Sequence, residues 1–289
     1  VILAIASGKG GTGKTTVALS LARTLAGPVE LLDCDVEAPD DHLFLDPLIE
    51  RREDVTVPVP VVNDELCSGC GECSDLCAFN AIVTLGSRTL VFPELCHSCR
   101  GCARVCPTGA IAEESRPIGV VEIGRSGRLG VIQGRLEIGE SLVPPVIRAV
   151  RAAARGDGTV LVDAPPGTSC SMVEAVRGAD AALLVAEPTP FGLNDLELAA
   201  GAMDVIGVPH AVAVNRAGIG DDRVHRFCAE RGIPILAEIP DDRRVAEASA
   251  RGEIISDAVP DLRPVFEELG HRLLDLAATG HGADVPEAV

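Results

Sequence analysis

Of the chain's 25 basic residues only two are lysines, Lys9 and Lys14, and both lie in one glycine-rich segment, Ser7-Gly8-Lys9-Gly10-Gly11-Thr12-Gly13-Lys14-Thr15-Thr16. Everywhere else positive charge comes from arginine, 23 times. A loop closing round phosphate has room for a compact ammonium on a flexible stem and little for a planar five-donor fork. Gly8-x4-Gly13-Lys14-Thr15 has the spacing of a phosphate-binding loop. In such a loop the backbone N–H groups of Gly10, Gly11, Thr12, Gly13 and Lys14 point at a β-phosphate at the positive end of a helix. Lys14 neutralises β- and γ-oxygens, and the Thr15 hydroxyl binds Mg²⁺. Thr16 closes the segment. A chance glycine-rich turn explains neither the lysine bias nor the apolar run Ile2 to Ala6 before it and the helical stretch Lys14 to Leu25 after it.

The second chemical signal is cysteine, of which there are 11. Eight fall in two runs, Cys67-x2-Cys70-x2-Cys73-x3-Cys77 and Cys96-x2-Cys99-x2-Cys102-x3-Cys106-Pro107. Both fit the bacterial ferredoxin pattern, in which the fourth cysteine of each run ligates the other cluster. Cys67, Cys70, Cys73 and Cys106 are thereby assigned to one [4Fe–4S] cluster, and Cys96, Cys99, Cys102 and Cys77 to a second. Zinc sites pair two short CxxC units round one metal and fit four-ligand runs less well. A shift of 29 residues superposes the two runs and maps Ala81-Ile82 onto Ala110-Ile111, so the segment is an internal repeat. Ala78 stands where the first run would carry proline. His97, among the ligands, faces solvent or shields a cluster. The remaining Cys34, Cys170 and Cys228 read as small buried hydrophobes.

Elements must position these groups. Val29 to Leu32, Val160 to Val162, Ala181 to Ala186, His210 to Val214 and Ile233 to Ile239 are apolar runs of strand length. Helical patterns separate most of them: Val143 to Arg155, Ser171 to Arg177, Leu193 to Ile206, Arg223 to Arg231 and Arg243 to Arg251, with a last amphipathic stretch from Leu262 to Ala277. This alternation predicts an α/β fold with a doubly wound, mostly parallel sheet. The expected P-loop nucleotide-binding domain covers 1–62 and 115–289. It is interrupted at 63–114 by a small ferredoxin-like α+β domain, after which Gly119 to Ile123 and Leu129 to Ile132 form a hairpin.

Lys9, directly after the first glycine, is not needed by an ordinary phosphate loop. With it the sequence resembles the deviant Walker A family of MinD/ParA-like ATPases, related to the nitrogenase iron protein and the cytosolic iron–sulfur carrier ATPases. The resemblance implies an ATP-bridged homodimer in which Lys9 reaches the partner's nucleotide. It also implies that Asp35, in Asp33-Cys34-Asp35, orients the attacking water. Val160-Leu161-Val162-Asp163-Ala164-Pro165-Pro166-Gly167 resembles Walker B running into switch II, with Asp163 holding the Mg²⁺ shell and Gly167 letting a backbone N–H approach the γ-phosphate. Asn215, beside Arg216, matches a base-contacting position, and Gly218 stands where a guanine-reading Asp would be, so ATP and ADP are the expected nucleotides. Asp241 is a further candidate for the base-side wall. Cys170, seven residues beyond Asp163, has the spacing of a cluster-bridging cysteine in the nitrogenase iron protein, and no second such cysteine accompanies it outside the repeat.

Composition bounds the partners. The 289 residues are 47% hydrophobic and carry a formal charge of -18. That charge disfavours nucleic acid and anionic membrane as partners. Aromatic content is 2%, with no Trp or Tyr, which leaves little for base stacking. No bilayer-length apolar run and no signal-peptide pattern occur, so a cytoplasmic protein is expected. The tail Thr279 to Val289 lacks a basic amphipathic pattern. The closest resemblance is to MinD-superfamily ATPases with an inserted ferredoxin domain. It implies an ATPase coupled to electron transfer or cluster handling with a redox or iron–sulfur protein partner. The other class considered is a redox-sensing, ATP-dependent scaffold that recruits a protein without delivering electrons.

Overall fold

The computed structural model describes residues 1–280; the tail reading falls, from 281 onward, outside the described residues. In chain order the elements are β1 (Ile2–Ala6), α1 (Lys14–Thr24), β2 (Val29–Asp33), α2 (Asp41–Leu45), β3 (Leu48–Val62), α3 (Glu72–Leu76), β4 (Ile82–Leu85), β5 (Arg88–Val91), α4 (Gly101–Val105), β6 (Ile111–Ser126), β7 (Leu129–Leu136), α5 (Pro144–Ala152), β8 (Thr159–Asp163), α6 (Cys170–Val176), β9 (Ala181–Ala186), α7 (Pro190–Ile206), β10 (His210–Ala217), α8 (Arg223–Arg231), β11 (Ile235–Pro240), α9 (Arg243–Ala250), α10 (Ile255–Ala258) and α11 (Arg263–Gly280). Two compact units divide the chain: Val1–Arg52 with Val121–Arg135 and Ile147 onward, and Glu53–Val120 with Leu136–Val146.

The strand order is β11-β10-β9-β1-β8-β2-β7-β6-β3, and the pairings from β11 to β7 are all parallel. In the first unit β1, β8 and β9 are almost wholly buried, which is why they read as continuous apolar runs without alternation. Phe266 of α11 is the largest side chain of the core and shares a cluster with Leu3, Leu21, Leu31 and Leu183. At Gly270 a Cβ would sit 2.9 Å from Leu25 Cδ2, so the missing side chain lets α11 close on the end of α1.

The expected hairpin is present but longer, β6 and β7 joined through Gly127 at φ 58. The 15-residue β3 was not expected. Its first half, with Glu50, Arg51, Arg52, Glu53 and Asp54, offers no apolar alternation. Its second half alternates Val55, Val57 and Val59 inward, with Pro58 among them and a buried Pro60 directly after. β3 ends the strand order, where prolines cost no ladder bonds.

In the second unit the 29-residue repeat is visible in the backbone. Gly69 and Ser98 have φ 69 and 55, Gly71 and Arg100 have φ 85 and 61, and Asn80 and Gly109 have φ 52 and 64. Each of these three left-handed positions recurs in the repeat, although one member of each pair is not glycine; Gly86, φ 63, has no such counterpart at Ser115. A non-glycine residue stays in that region only where its surroundings fix it there.

Candidate nucleotide site and thiol clusters

The phosphate loop leaves β1 at Ala6 and enters α1 at Lys14. Gly13 caps the helix in the left-handed region, φ 90. A Cβ on Gly13 would lie 2.2 Å from Asn215 Nδ2, and that nitrogen donates to the Thr12 carbonyl at 2.7 Å. A Cβ on Gly8 would lie 2.0 Å from the Asp195 carbonyl oxygen. The loop is thus clamped between α7 and the end of β10.

Asp163 ends β8 with Ile5 of β1 and Asp33 of β2 as its register neighbours. Fully buried, it accepts from Lys14 Nζ at 2.6 Å and from Thr15 Oγ1 at 2.8 Å. Burial works against the Lys14 ammonium, but the charge and hydrogen bond of Asp163 outweigh it and hold the group above its ordinary value. Gly167, φ 89, donates its N–H to the Ser7 carbonyl at 3.0 Å. A cavity of about 590 Å³ opens beside the loop, and Lys9, Lys14, Thr15, Asp35, Arg216 and Asp241 are among its walls. Asp241 donates its own N–H to the Ala217 carbonyl at 3.2 Å.

Two features of this site were not legible in the sequence. Asp33, Asp40 and Asp41 bring carboxylate oxygens within 4.8 Å of one another. Asp33 accepts from the N–H groups of Asp35, Asp40 and Asp41, while both oxygens of buried Asp41 lack a partner. Burial, then repulsion between neighbouring carboxylates, pushes Asp33 and Asp41 well above the usual range, and burial lifts Asp35 to about 6. The second feature is Glu187, 7% exposed. Its carboxylate lies 3.3 Å from Lys9 Nζ and 2.9 Å from Arg216 Nη1. The turn carrying it is fixed: Thr189 N–H donates to its carbonyl at 2.8 Å, and a Cβ on Gly192 would come within 2.2 Å of that oxygen. An Asp cluster formed across a loop and a glutamate opposite a lysine 178 positions away leave no spacing signal.

In the second unit none of the eight cysteines of the two runs is joined in a disulfide. Cys77, Cys96, Cys99 and Cys102 line a cavity of about 320 Å³, with Cys73 also in its wall. Cys67, Cys70, Cys73 and Cys106 line another. Each run therefore sends its last cysteine into the other run's cavity. Backbone N–H groups of Ala81, Ser98 and Ala110 donate to Cys77, Cys96 and Cys106 at 3.3, 3.4 and 3.3 Å. His97 lines the larger cavity and stacks on Phe79, centroids 3.6 Å apart. Of the other three cysteines, Cys34 and Cys228 are buried, and burial raises both thiols, that of Cys228 to about 11. Cys170 departs from the expectation of burial: it is exposed at the start of α6.

Fold and site define a P-loop nucleotide-binding protein. A family model described as the CobQ/CobB/MinD/ParA nucleotide binding domain matches residues 3–255, and the chain belongs to that family, as a P-loop ATPase. An uncharacterized protein of Methanocaldococcus jannaschii is 32% identical over 243 residues, 82% of this chain and 86% of the relative. A mitochondrial protein of Arabidopsis thaliana, described as an iron–sulfur protein required for NADH dehydrogenase, is 23% identical over 290 residues, 90% of this chain and 76% of its own. The septum site-determining protein MinD of Pyrococcus horikoshii, solved with Mg-ADP, shares the fold with TM-score 0.58 and 19% identity, over 98% of this chain and 99% of that one. No helix among the described residues is long and apolar enough to cross a membrane.

Proposed function

We propose that this ATPase acts as an ATP-bridged homodimer whose hydrolysis cycle is coupled to electron transfer or cluster handling through two [4Fe–4S] clusters. The ferredoxin-like insert, 63–114, would carry them. The observation that carries the reading is the crosswise grouping of the eight thiols: Cys77 joins Cys96, Cys99 and Cys102 at one cavity, Cys106 joins Cys67, Cys70 and Cys73 at the other, and Cys73 lines both. Zinc sites pair two short CxxC units round one metal, whereas each run here carries four cysteines with a trailing three-residue gap. That spacing suits a polynuclear cluster. The iron–sulfur name of the Arabidopsis relative points the same way.

At the nucleotide, Lys14 would exchange Asp163 for the β- and γ-oxygens of the triphosphate, and the Thr15 hydroxyl would help to hold Mg²⁺. Bound Mg²⁺ supplies charge neutralisation at those oxygens. Asp163 would then be the carboxylate that holds the Mg²⁺ shell. Asp35 orients the water that attacks the γ-phosphorus as the bond to the β–γ bridging oxygen breaks. Gly167 releases Ser7 to offer its N–H to the γ-phosphate, and Asn215, Arg216 and Asp241 stand on the base side. Lys9 leaves Glu187 to reach the partner's phosphates, and Arg216 keeps the Glu187 carboxylate paired.

The test is anaerobic purification with an iron count and EPR, with and without ATP, alongside ATPase rates of oxidised and reduced protein. Iron-loaded protein whose hydrolysis rate depends on cluster reduction is expected. Iron-free protein, or a rate and a potential each indifferent to the other, overturns the coupling. Lys9→Ala should bind nucleotide and fail to dimerise with ATP in sedimentation; a normal dimer removes the cross-interface role.

A further inference from the structure

The two thiol sets differ in what surrounds their sulfurs. Thr84 and Thr89 are cross-strand partners on the β4–β5 hairpin, their hydroxyl oxygens 3.0 Å apart. Thr89 Oγ1 lies 3.5 Å from Cys67 Sγ, and Thr84 Oγ1 4.0 Å from Cys73 Sγ. Against metal-bound thiolates only the hydroxyls can donate. One hydrogen serves the bond between the two threonines, so the pair sends one to a sulfur, polarised by the other hydroxyl. Thr108 Oγ1, 3.6 Å from Cys106 Sγ, supplies a second. Among the described residues no hydroxyl bonds a sulfur of the set Cys77, Cys96, Cys99 and Cys102; backbone N–H groups of Ala81, Ser98 and Ala103 serve Cys77, Cys96 and Cys102, as that of Ala110 serves Cys106, and the buried Ser98 hydroxyl in this cavity's wall bonds nothing.

The internal repeat sharpens the contrast. Twenty-nine residues after Thr84 stands Glu113, and 29 before Thr108 stands Phe79. Both counterparts line the second cavity. Where the first set has hydroxyls, the second has an aromatic ring stacked on His97 and a carboxylate held by Arg100 at 3.2 Å. Reduction adds negative charge to a cluster. Hydrogen bonds to its sulfurs stabilise that charge and raise the potential, and apolar surroundings lower it.

We propose that Thr84, Thr89 and Thr108 make the Cys67/Cys70/Cys73/Cys106 site the higher-potential one, so that an electron brought by a low-potential one-electron donor comes to rest there. This rests on the cluster reading above. One electron passes from a reduced centre to its oxidised neighbour, with no bond made or broken and no proton taken up.

The experiment is an EPR-monitored potentiometric titration of the anaerobically purified full chain. Two waves are expected, separated by at least a tenfold occupancy ratio, about 59 mV for one-electron couples. Thr89→Val and Thr108→Val should each lower the upper wave and leave the lower one, and Thr89→Ser should restore it. Coincident waves in the parent protein, or threonine variants that move the lower wave or neither, overturn the assignment. If Thr89→Val fails to hold iron, Thr108→Val, at an exposed position, carries the test. A parent chain that takes up no iron overturns the cluster reading itself, a result distinct from loaded protein with coincident waves.

Discussion

The two lysines stand in different relations to solvent and charge. The Lys14 side chain is 8% exposed and fixed on Asp163, while that of Lys9 is 35% exposed and shares Glu187 with Arg216. Because no other lysine exists, acylation followed by peptide mass spectrometry reads both directly. Lys9 should react and Lys14 resist. Glu187→Gln should speed Lys9 acylation roughly two- to fivefold, the range of a partly exposed ion pair; an unchanged rate shows that the pair does not hold in solution. Asp35 gives a pH-dependent outcome. Burial raises its carboxyl from 3.8 to about 6, so the folded chain holds this proton more tightly than the unfolded chain does. Its contribution to stability is full below the ordinary carboxyl value and is lost as pH rises through about 6. Thermal midpoints of metal-free protein should therefore fall between pH 4 and pH 6.5, approximately, with a shallower fall in Asp35→Asn. A slope equal in the two proteins removes Asp35 as a contributor. Hydrolysis that needs the ionised carboxylate should rise over the upper part of the same interval.

Among the elements, the glycines of the phosphate loop separate folding from binding. A Cβ on Gly8 would strike the α7 backbone at Asp195, whereas one on Gly10 would meet nothing within 4 Å. Gly8→Ala should cost about 1–3 kcal/mol of stability, as overpacking does. Gly10→Ala should keep the melting temperature and weaken nucleotide binding, since its backbone must approach phosphate closely. Calorimetry and nucleotide titration distinguish the two, and equal melting losses would sink the distinction. These same elements show what a sequence can disclose. The buried parallel strands and the β1–loop–α1 unit were legible because two-sided burial writes continuous apolar runs and phosphate binding fixes glycine and lysine spacing. β3 was not, because its charged half is exposed and its valine half is broken by prolines an edge tolerates. The β4–β5 hairpin was hidden inside a segment that looked like cysteine-rich loop, and with it the pairing of Thr84 and Thr89. Glu187 and the Asp33/Asp40/Asp41 group were invisible because only the folded sheet brings their elements together. Cys170 is exposed where cysteines are on average buried, because it starts a helix turned to solvent.

For the whole molecule the governing quantity is charge. A formal -18 per chain makes two copies repel at long range, while the contact proposed to join them, Lys9 to a partner's phosphates, acts at close range. Screening removes repulsion beyond a Debye length, which falls from about 30 Å at 0.01 M to about 8 Å at 0.15 M ionic strength, and leaves close pairs nearly intact. ATP-dependent self-association should therefore tighten as salt rises over that interval. A basic electron-transfer partner should behave in the opposite way, since attraction between unlike surfaces accelerates encounter most at low salt. Sedimentation equilibrium with ATP across a potassium chloride series reads the first trend, and stopped-flow reduction by a basic one-electron donor protein reads the second. Self-association that weakens with salt would mean that the dimer is joined by complementary charged patches, and the Lys9–phosphate contact would then lose its place as the principal link between the protomers.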